Sequence, residues 1–545
     1  MADQPEVVTA QVVAESPAQS RFQPPPPREA PPGEPPAGWR EIVCAVLLVV
    51  LCDLTMYRGY GPAGYALLFF AAPWLLLAGS PQARPGRGFW LLGGMLILLA
   101  GRTLWLGSAL TLVVGFNLLA AVALAIAGRT PYVGDVCLGV LRIGSAGCRA
   151  VDCYFETARR LAPRIPRWFW LLNAVLPLVA LVVFGTLFVL ANPDLVASFS
   201  DWLGRFFKWL GDLLARFLPD VWEVLFWLAA FWVAAALLRP VLKRESMRPQ
   251  PPSPPAAAGE QPAPLYAALR NTLAAVILLF AVYLVFEFKT LWFRNFPKGF
   301  YYAGYAHEGA AWLTVALGMA TAVLSLTFRG PVLRDPRLTR LRRLAWIWSA
   351  ENLILSATVF NRLFIYIDFN GMTRMRTVGL FGAATVVAGF LLVVWKIVRG
   401  HSFVWLIQRH LWTLAVAIFL YSLTPVDMLV HAHNVRHVLA GDIPPAVQIC
   451  THPIDAEGVL MLRPLAHCDD AIIREGIRAM LAKRAIQAEA ADRRRRQQGW
   501  TTYQIADRLL LEQLRSISED WEPYTDAAKR EAAITRFYDY VYPWY

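Results

Sequence analysis

The chain has 545 residues, of which 57% are hydrophobic and only 17% are charged. A soluble domain has about 45–50% apolar and about 25% charged residues, so this composition excludes a soluble enzyme of this size, which could not bury the surplus. The net charge of +13 could indicate a nucleic-acid partner, but Lys and Arg also accumulate in the cytoplasmic loops of membrane proteins. We therefore predict a multi-pass protein of the lipid bilayer with no nucleic-acid partner.

Apolar segments long enough to cross a bilayer recur along the chain with few charges inside them. Residues 197–218 instead alternate apolar and charged faces at helical spacing, which predicts an amphipathic helix lying in the membrane interface or packed on the bundle. The predicted fold is an all-α polytopic membrane protein with about eleven transmembrane helices, one interfacial amphipathic helix and a helical soluble C-terminal tail. The predicted spans are 41–57, 64–79, 88–106, 108–128, 168–191, 221–239, 270–290, 309–328, 344–365, 377–398 and 408–426.

Pro-rich stretches and hydropathy divide the chain into five parts. Residues 1–38 are a Pro-rich arm that cannot bury a core and should be disordered, and residues 245–264 are a Pro-rich linker. Residues 39–244 form an N-terminal membrane region of about six spans, and residues 265–426 form a C-terminal one of about five. Residues 427–545 form the tail, whose apolar residues recur at helical spacing.

Lys and Arg are concentrated in alternate loops of this arrangement. Residues 129–167 contain seven and residues 329–343 contain six, whereas residues 289–308 and 362–376 contain three each. In membrane proteins the loops richer in Lys and Arg face the cytoplasm. If eleven spans alternate, the N-terminus is cytoplasmic and the tail is extracytoplasmic.

Three groups of polar residues lie where predicted spans begin or end. An ionisable side chain next to hydrocarbon costs about 2.5–3.5 kcal/mol, so it should face a partner or a water-filled cavity. Arg362 and Tyr366 are four residues apart and share a helix face, and Gly371 permits a turn before the next span. Asp427 and Asn434 also share a face. The candidate functional residues are Tyr305, Glu308, Gly309, Arg362, Tyr366, Gly371, Thr373, Arg376, Asp427 and Asn434.

The same residues carry a resemblance to a known family. The segments 305–309, 362–366 and 371–376, Asp427 with Asn434, and 454–455 resemble the bacterial multi-pass membrane proteins called domain of unknown function 4173, which have a sister family numbered 4153. The resemblance covers roughly residues 265–480, and the chain departs from the family pattern at 425–427. It implies a bacterial inner (cytoplasmic) membrane protein and supplies no reaction.

Several functions remain open at this point. No G-x-S-x-G, H-E-x-x-H or Walker sequence is present, so we predict a non-enzymatic protein without a cofactor. Its role would be in interaction, sensing or the cell envelope, with a protein partner contacting the tail. One alternative is a transporter with a polar site between spans eight and nine around Glu308, Glu351, Asn352 and Arg362, although buried polar residues of this kind more often form interhelical hydrogen bonds. A second alternative is a lipid- or glycan-linked membrane enzyme.

The tail also contains clustered Cys and His residues. Cys450 and Cys468 could form a disulfide if the tail is extracytoplasmic, or they could be two unpaired thiols in its core. His433 and His437 have the i, i+4 spacing of metal ligands, but the whole set matches no standard zinc pattern. We therefore predict no metal site.

Overall fold

The computed structural model describes residues 36–81, 83–128, 131–161, 175–181, 183–185, 205, 208–209, 220–240, 265–292, 302–328, 332 and 335–544. The side chains of residues 158–161, 291, 302–308, 326 and 544 lie outside this description. So do most residues of four predicted features, which are the Pro-rich arm, the span at 168–191, the amphipathic helix at 197–218 and the linker. Within the described residues every regular element is helical.

The N-terminal membrane region begins with four consecutive helices, α1 to α4. Pro62 starts α2 at a position where its missing N–H costs nothing, and the Ser108 hydroxyl caps α4 by accepting a hydrogen bond from the backbone N–H of Thr111. Their shared core is apolar and includes the fully buried Phe69. The helices whose bounds lie within the described residues of this region are α1 (Trp39–Cys52, continued by a π-helical turn, Asp53–Tyr57), α2 (Pro62–Gly79), α3 (Arg87–Trp105), α4 (Ala109–Ile126), α5 (Val133–Leu141), α6 (Ile143–Leu161) and α7 (Val221–Leu238).

The described part of the C-terminal membrane region contains five long helices. Thr373 and Ser402 cap two of them through their hydroxyl groups, and Gly400, with a φ of 68°, ends the helix between them in the left-handed conformation that glycine favours. The helices are α8 (Tyr266–Glu287, continued by a π-helical turn, Phe288–Trp292), α9 (Tyr302–Thr327), α10 (Leu338–Asn370), α11 (Arg374–Arg399) and α12 (Phe403–Leu423).

Seven helices of the described residues are long and apolar enough to cross a membrane, namely α2, α3, α4, α7, α8 with the start of its π turn, α11 and α12. The prediction of an all-α polytopic membrane protein is therefore confirmed. The predicted spans at 41–57 and 344–365 lie in α1 with its π turn and in α10, which are helical but are not among these seven. The predicted span at 309–328 coincides with α9 up to Thr327, and the description covers its apolar stretch Gly309–Ser325. The count of about eleven spans stays a prediction.

Helix α8 shows why this chain needs a bilayer. Leu278, Leu279, Val282 and Val285 are each 63 to 69% exposed on its surface. A contiguous apolar face of this kind is unfavourable in water and favourable against lipid chains.

The tail is a compact helical unit. Its longest helix is capped by Asp470, whose carboxylate accepts hydrogen bonds from the backbone N–H groups of Ile472 and Ile473. The fully buried Phe537 packs against that helix at Gly476, where a Cβ would overlap the ring. The tail helices are α13 (Val426–Leu439), α14 (Val447–Thr451), α15 (Ala456–Val459), α16 (Ala471–Gln498), α17 (Ile505–Ser516), α18 (Ser518–Trp521) and α19 (Ala527–Val541).

The tail packs directly on the membrane helices. It contacts the connection between α1 and α2 through Thr501, the connection between α3 and α4 through Gln504, and the connection between α10 and α11 through Asn434. Trp105 and Leu106, at the end of α3, pack against the tail's hydrophobic core. These three connections and the tail therefore lie at one end of the helix bundle. We call this end the tail-side end.

Candidate functional site

Arg362 lies in α10 and forms a buried ion pair with Glu287 at the end of α8. Its Nε donates to Glu287 Oε1 at 2.7 Å and its Nη2 donates to Glu287 Oε2 at 2.5 Å, which is the bidentate geometry that arginine and carboxylate prefer. Tyr283 donates its hydroxyl hydrogen to the same carboxylate at 2.9 Å. Gly309 of α9 lies against the guanidinium, so closely that a Cβ would overlap it. The pair therefore joins α8, α9 and α10.

The next four candidate residues build the turn between α10 and α11. Gly371 has a φ of 82°, a conformation that residues with a Cβ rarely adopt. Thr373 accepts a hydrogen bond from the Arg376 backbone N–H at 3.2 Å and so starts α11. The Arg376 guanidinium lies 3.8 Å from the centre of the Tyr366 ring and donates to the Gly371 carbonyl. These residues hold the shape of one connection.

The tail recognises the backbone of that turn. The Asn434 side-chain amide accepts from the Met372 N–H at 2.6 Å and donates to the Met372 carbonyl at 2.9 Å. Gln448 donates to the Asn370 carbonyl at 3.1 Å. Peptide groups left open where one helix ends are thus satisfied by two side chains of the tail.

Arg374 forms the charged part of the same contact. It makes a bidentate ion pair with Asp427, whose side chain is 2% exposed, and its Nη2 also lies 2.8 Å from Asp455 Oδ2. The Asp455 backbone N–H donates to Asp427 at 2.7 Å. Burial opposes ionisation of Asp427, but the bonds from Arg374 and from the Asp455 N–H hold its pKa below the ordinary value. Asp427 is therefore a paired anion that fastens the tail to α11.

A second ion pair fastens the tail to α3. Glu457 accepts from Arg102 at 3.0 Å and from the Trp105 indole N–H at 3.0 Å. Burial raises the pKa of Glu457, while Arg102 and Trp105 oppose that rise. Sequence reasoning singled out neither Glu457 nor this pairing. The spacing of Arg102 and Trp105, three residues apart on one helix face, is the only local signal, and nothing local points to a partner over 350 residues away.

The N-terminal membrane region is joined by the same kind of contact. Glu41 of α1 accepts a bidentate pair from Arg239 at 2.5 and 2.8 Å and a hydrogen bond from the Tyr154 hydroxyl at 2.9 Å. At the other end of α1, Asp53 accepts from the Trp227 indole at 2.9 Å and forms an ion pair with Arg58. Sequence reasoning did not identify these partners.

His431 is a buried imidazole at the junction of tail and membrane helices. It is 3% exposed, and Gly458 packs against its ring so closely that a Cβ would overlap it. Burial, reinforced by the positive charge of Arg374 and by His452, lowers the pKa of His431 to about 4, against the opposing effect of Asp427. The ring is therefore neutral at pH 7.

The predicted transporter residues do not come together as one polar cluster in the described structure. Asn352 is fully buried, and its amide donates to the Trp348 carbonyl of its own helix at 2.7 Å. Arg362 lies ten residues further along α10, about 15 Å at 1.5 Å per residue, and is bound to Glu287. Glu351 is on the same helix turn as Asn352. Tyr305 and Glu308 belong to the first two turns of α9, and their side chains lie outside the described residues.

A cavity of about 380 Å³ lies elsewhere, among α1, α2, α4 and α7 and the junction of α5 and α6. Its lining is apolar apart from Asn117 and Cys52, and it includes none of the predicted site residues. Its chemistry suits hydrocarbon rather than an ion.

The tail also contains the two cysteines and two histidines that the sequence singled out as a possible disulfide and as possible metal ligands. Cys450 and Cys468 are free in the structure, and each sulfur lies 3.5 Å from a different carbonyl oxygen. Burial raises the pKa of Cys450 to about 11. The disulfide stays a prediction. The rings of His433 and His437 lie with their centres 4.4 Å apart and their planes tilted by 39°. The described residues contain no group of three His, Cys, Asp or Glu side chains that could hold a metal ion.

Breaking the Asp427 ion pair should loosen the tail. We expect Asp427→Asn to cost at least about 2 kcal/mol, because two charge-assisted hydrogen bonds from Arg374 lose their anionic acceptor. Limited proteolysis of the full chain in detergent should then cut the tail faster than in wild type. The control is Asp442→Asn, which removes an exposed pair with His437 worth at most about 1 kcal/mol. Equal protease resistance of D427N and wild type would contradict the role of the Asp427–Arg374 ion pair in fastening the tail to α11.

Acid should loosen the tail through His431. The pKa of this side chain is 6.5 when unperturbed and about 4 in the folded protein, so the unfolded tail binds more protons between these values. The contribution of neutral His431 to the free energy of unfolding of the tail is fully present above about pH 6.5. This contribution is lost, on the order of 2–3 kcal/mol, as the pH drops to about 4.5. The rate of tail proteolysis should rise over this window in wild type. His431→Asn should flatten the dependence, and an unchanged dependence in that variant would assign it to other groups.

Comparison with known proteins gives one match. The model of a domain of unknown function, DUF4153, matches residues 42–451, about three quarters of the chain. No curated protein and no solved structure matches the chain. The match is to the sister family of the resemblance and not to family 4173, and it begins near residue 42 rather than near 265, so the first membrane region shares the family pattern. The chain is a member of the DUF4153 family of proteins with a domain of unknown function.

Proposed function

We propose that this protein is a non-enzymatic membrane scaffold, which presents its tail on one membrane surface for contact with a protein partner. The observation that carries the proposal is how the candidate residues are used. Arg362, Asp427 and Asn434 are each engaged in contacts that join one helix or connection to another, and Arg374 is the partner of Asp427. Their bonding supports a structural role.

The chemistry of the site favours this role over catalysis. A general acid or base must reach the proton that it transfers, within hydrogen-bond distance. Asp427 is buried and already accepts from Arg374 and from a backbone N–H, so a substrate would have to displace these bonds. The apolar lining of the described cavity likewise gives no support to a polar transport path.

The tail offers an aromatic patch for a partner. Tyr538 and Tyr542, one turn apart on and just after α19, are 37% and 51% exposed, and their rings stack with centres 5.1 Å apart. Tyrosine is enriched in protein interfaces because it adds a large contact area at a low cost in conformational entropy. We propose these two rings as the centre of the partner surface.

The scaffold would lie in a bacterial inner membrane, with the N-terminal arm in the cytoplasm and the tail outside. This proposal is supported by the contacts at the tail-side end. Helix α4 runs from the 106–108 connection, which the tail touches, to the Arg-rich segment 129–167, and α10 runs from the Arg-rich segment 329–343 to the 371–373 connection, which the tail also touches. Connections that the tail touches and Arg-rich connections thus alternate along these helices. Such alternation, with the richer segments inside, is the pattern that sets membrane orientation.

Photo-crosslinking in the native membrane tests the partner surface. A photoreactive residue at Tyr542 should give a discrete protein adduct of the full chain, because the position lies in the proposed interface. The control places the same residue at Lys483, an exposed position on α16 outside the aromatic patch. Adducts of equal yield at both positions, or none at Tyr542, would overturn the proposed surface.

Cysteine labelling tests the orientation. In a chain whose seven native cysteines are replaced by alanine, Ser516→Cys on the tail should react with a membrane-impermeant maleimide in intact spheroplasts. Ser145→Cys, exposed on α6 at the opposite end, should react only after the membrane is opened. The reverse pattern would place the tail in the cytoplasm and leave the scaffold proposal standing, with its partner on that side.

A further inference from the structure

The C-terminal end of α16 is seated against the ends of two membrane helices. The turn 500–502 follows this helix, and Thr501 in it is 4% exposed. Thr501 fits against Gly59 and Gly61 so closely that a Cβ on either glycine would overlap it. Two residues beyond the turn, the Gln504 side chain accepts a hydrogen bond from the Gly107 N–H at 3.1 Å. The end of α16 is thus held between the α1–α2 and α3–α4 connections.

This position corresponds to the edge of the hydrocarbon layer. Gly59 and Gly61 lie in the connection between the π turn that ends at Tyr57 and the first residue of α2, a helix apolar enough to cross the membrane. Three aromatic side chains are exposed here, Tyr60 at 70%, Trp500 at 58% and Tyr503 at 40%. Trp and Tyr are enriched at the boundary between lipid chains and water, where one part of the ring system is apolar and another is polar.

Four consecutive arginines, 493–496, occupy the last turns of α16. They precede Gly499 by three to six residues, so they lie about 4.5–9 Å from it along the helix axis. The headgroup layer on each side of a bilayer is about 5–7 Å thick. Whether α16 runs along the membrane surface or away from it, the guanidinium groups lie within reach of the lipid headgroups.

The ion pairs of this cluster leave part of its charge available. Arg495 is bound to Asp507 at 2.6 Å, which ties α16 to α17. Arg496 pairs with Asp492 at 2.9 Å but its side chain is 73% exposed. Within the described part of the chain, neither Arg493 nor Arg494 has an acidic side chain within ion-pair distance, and both are exposed.

We propose that Arg493, Arg494 and Arg496, together with Trp500 and Tyr503, form a binding site for the phosphate headgroup of anionic phospholipids. Guanidinium groups bind phosphate oxygens through paired, charge-assisted hydrogen bonds, and the aromatic rings fix the depth at which the arginines meet the headgroups. The site holds the free side of the tail against the membrane. It is independent of the proposed protein partner, because it requires only the contact of α16 with the ends of the membrane helices.

The test compares two pairs of basic residues on the same helix. In R493Q/R494Q the charge is removed next to the membrane. In K483Q/R484Q the same charge is removed ten residues earlier, about 15 Å further from Gly499. Binding of phosphatidylglycerol and phosphatidylcholine to the purified full chain in detergent is measured by native mass spectrometry, after the melting temperature without added lipid has shown that each variant is folded.

We expect wild type and K483Q/R484Q to bind phosphatidylglycerol more tightly than phosphatidylcholine, and R493Q/R494Q to bind phosphatidylglycerol about tenfold more weakly than wild type. High salt should weaken the wild-type preference, because exposed charges are screened. An equal loss in both variants would show attraction by total charge and overturn the site. Competition by millimolar inorganic phosphate that removes the lipid preference would assign the arginines to a free anion and overturn the lipid assignment.

If R493Q/R494Q does not fold, a second variant keeps the test decisive. Trp500→Ala leaves every arginine in place and removes a largely exposed ring. It should weaken the binding of both lipids by a similar factor, because the ring holds the site at the depth of the headgroups and carries no charge that would favour one lipid. Unchanged binding of both lipids in W500A would contradict the placement of this end of α16 at the membrane surface.

Discussion

An ionised side chain beside hydrocarbon is stable only when it has a partner, and this requirement organises the whole molecule. The chain meets it by placing carboxylates and arginines of different helices against each other. Glu41 with Arg239 and Glu287 with Arg362 are buried pairs, and Glu457 with the half-buried Arg102 is a third, with distances of 2.5 to 3.0 Å. Each pair joins segments that lie far apart in sequence. The pairs therefore specify which helix lies next to which.

Such pairs contribute more to specificity than to stability. Removing two charges from water costs about as much as their attraction returns, whereas removing one partner leaves an uncompensated charge. Apolar packing between helices gains little in lipid, because lipid chains are as apolar as leucine. A buried ion pair is then one of the few contacts that distinguish the correct neighbour from an incorrect one, which is why they recur at both ends of the bundle.

The same requirement makes the tail part of the membrane fold. Asp427 and Asn434 are the first tail residues to meet the membrane region, and Arg374 and the Met372 peptide groups are their partners. Without the tail, an arginine and two peptide groups at the end of α10 and the start of α11 would lack these partners. A structural role of this kind accounts for residues that, in sequence, resemble the components of a site.

The sequence by itself determined the class of the protein, because the surplus of apolar residues can be stable only in a bilayer. It also located the turn at Gly371 and the shared face of Asp427 and Asn434, since both depend on local backbone geometry. It could not find Glu287 as the partner of Arg362, or Glu457 as the partner of Arg102, and it grouped Arg362 with Glu351 and Asn352. Only the tertiary structure decided these pairings, because the contact between two charges depends on how distant helices pack and leaves no periodicity in either helix.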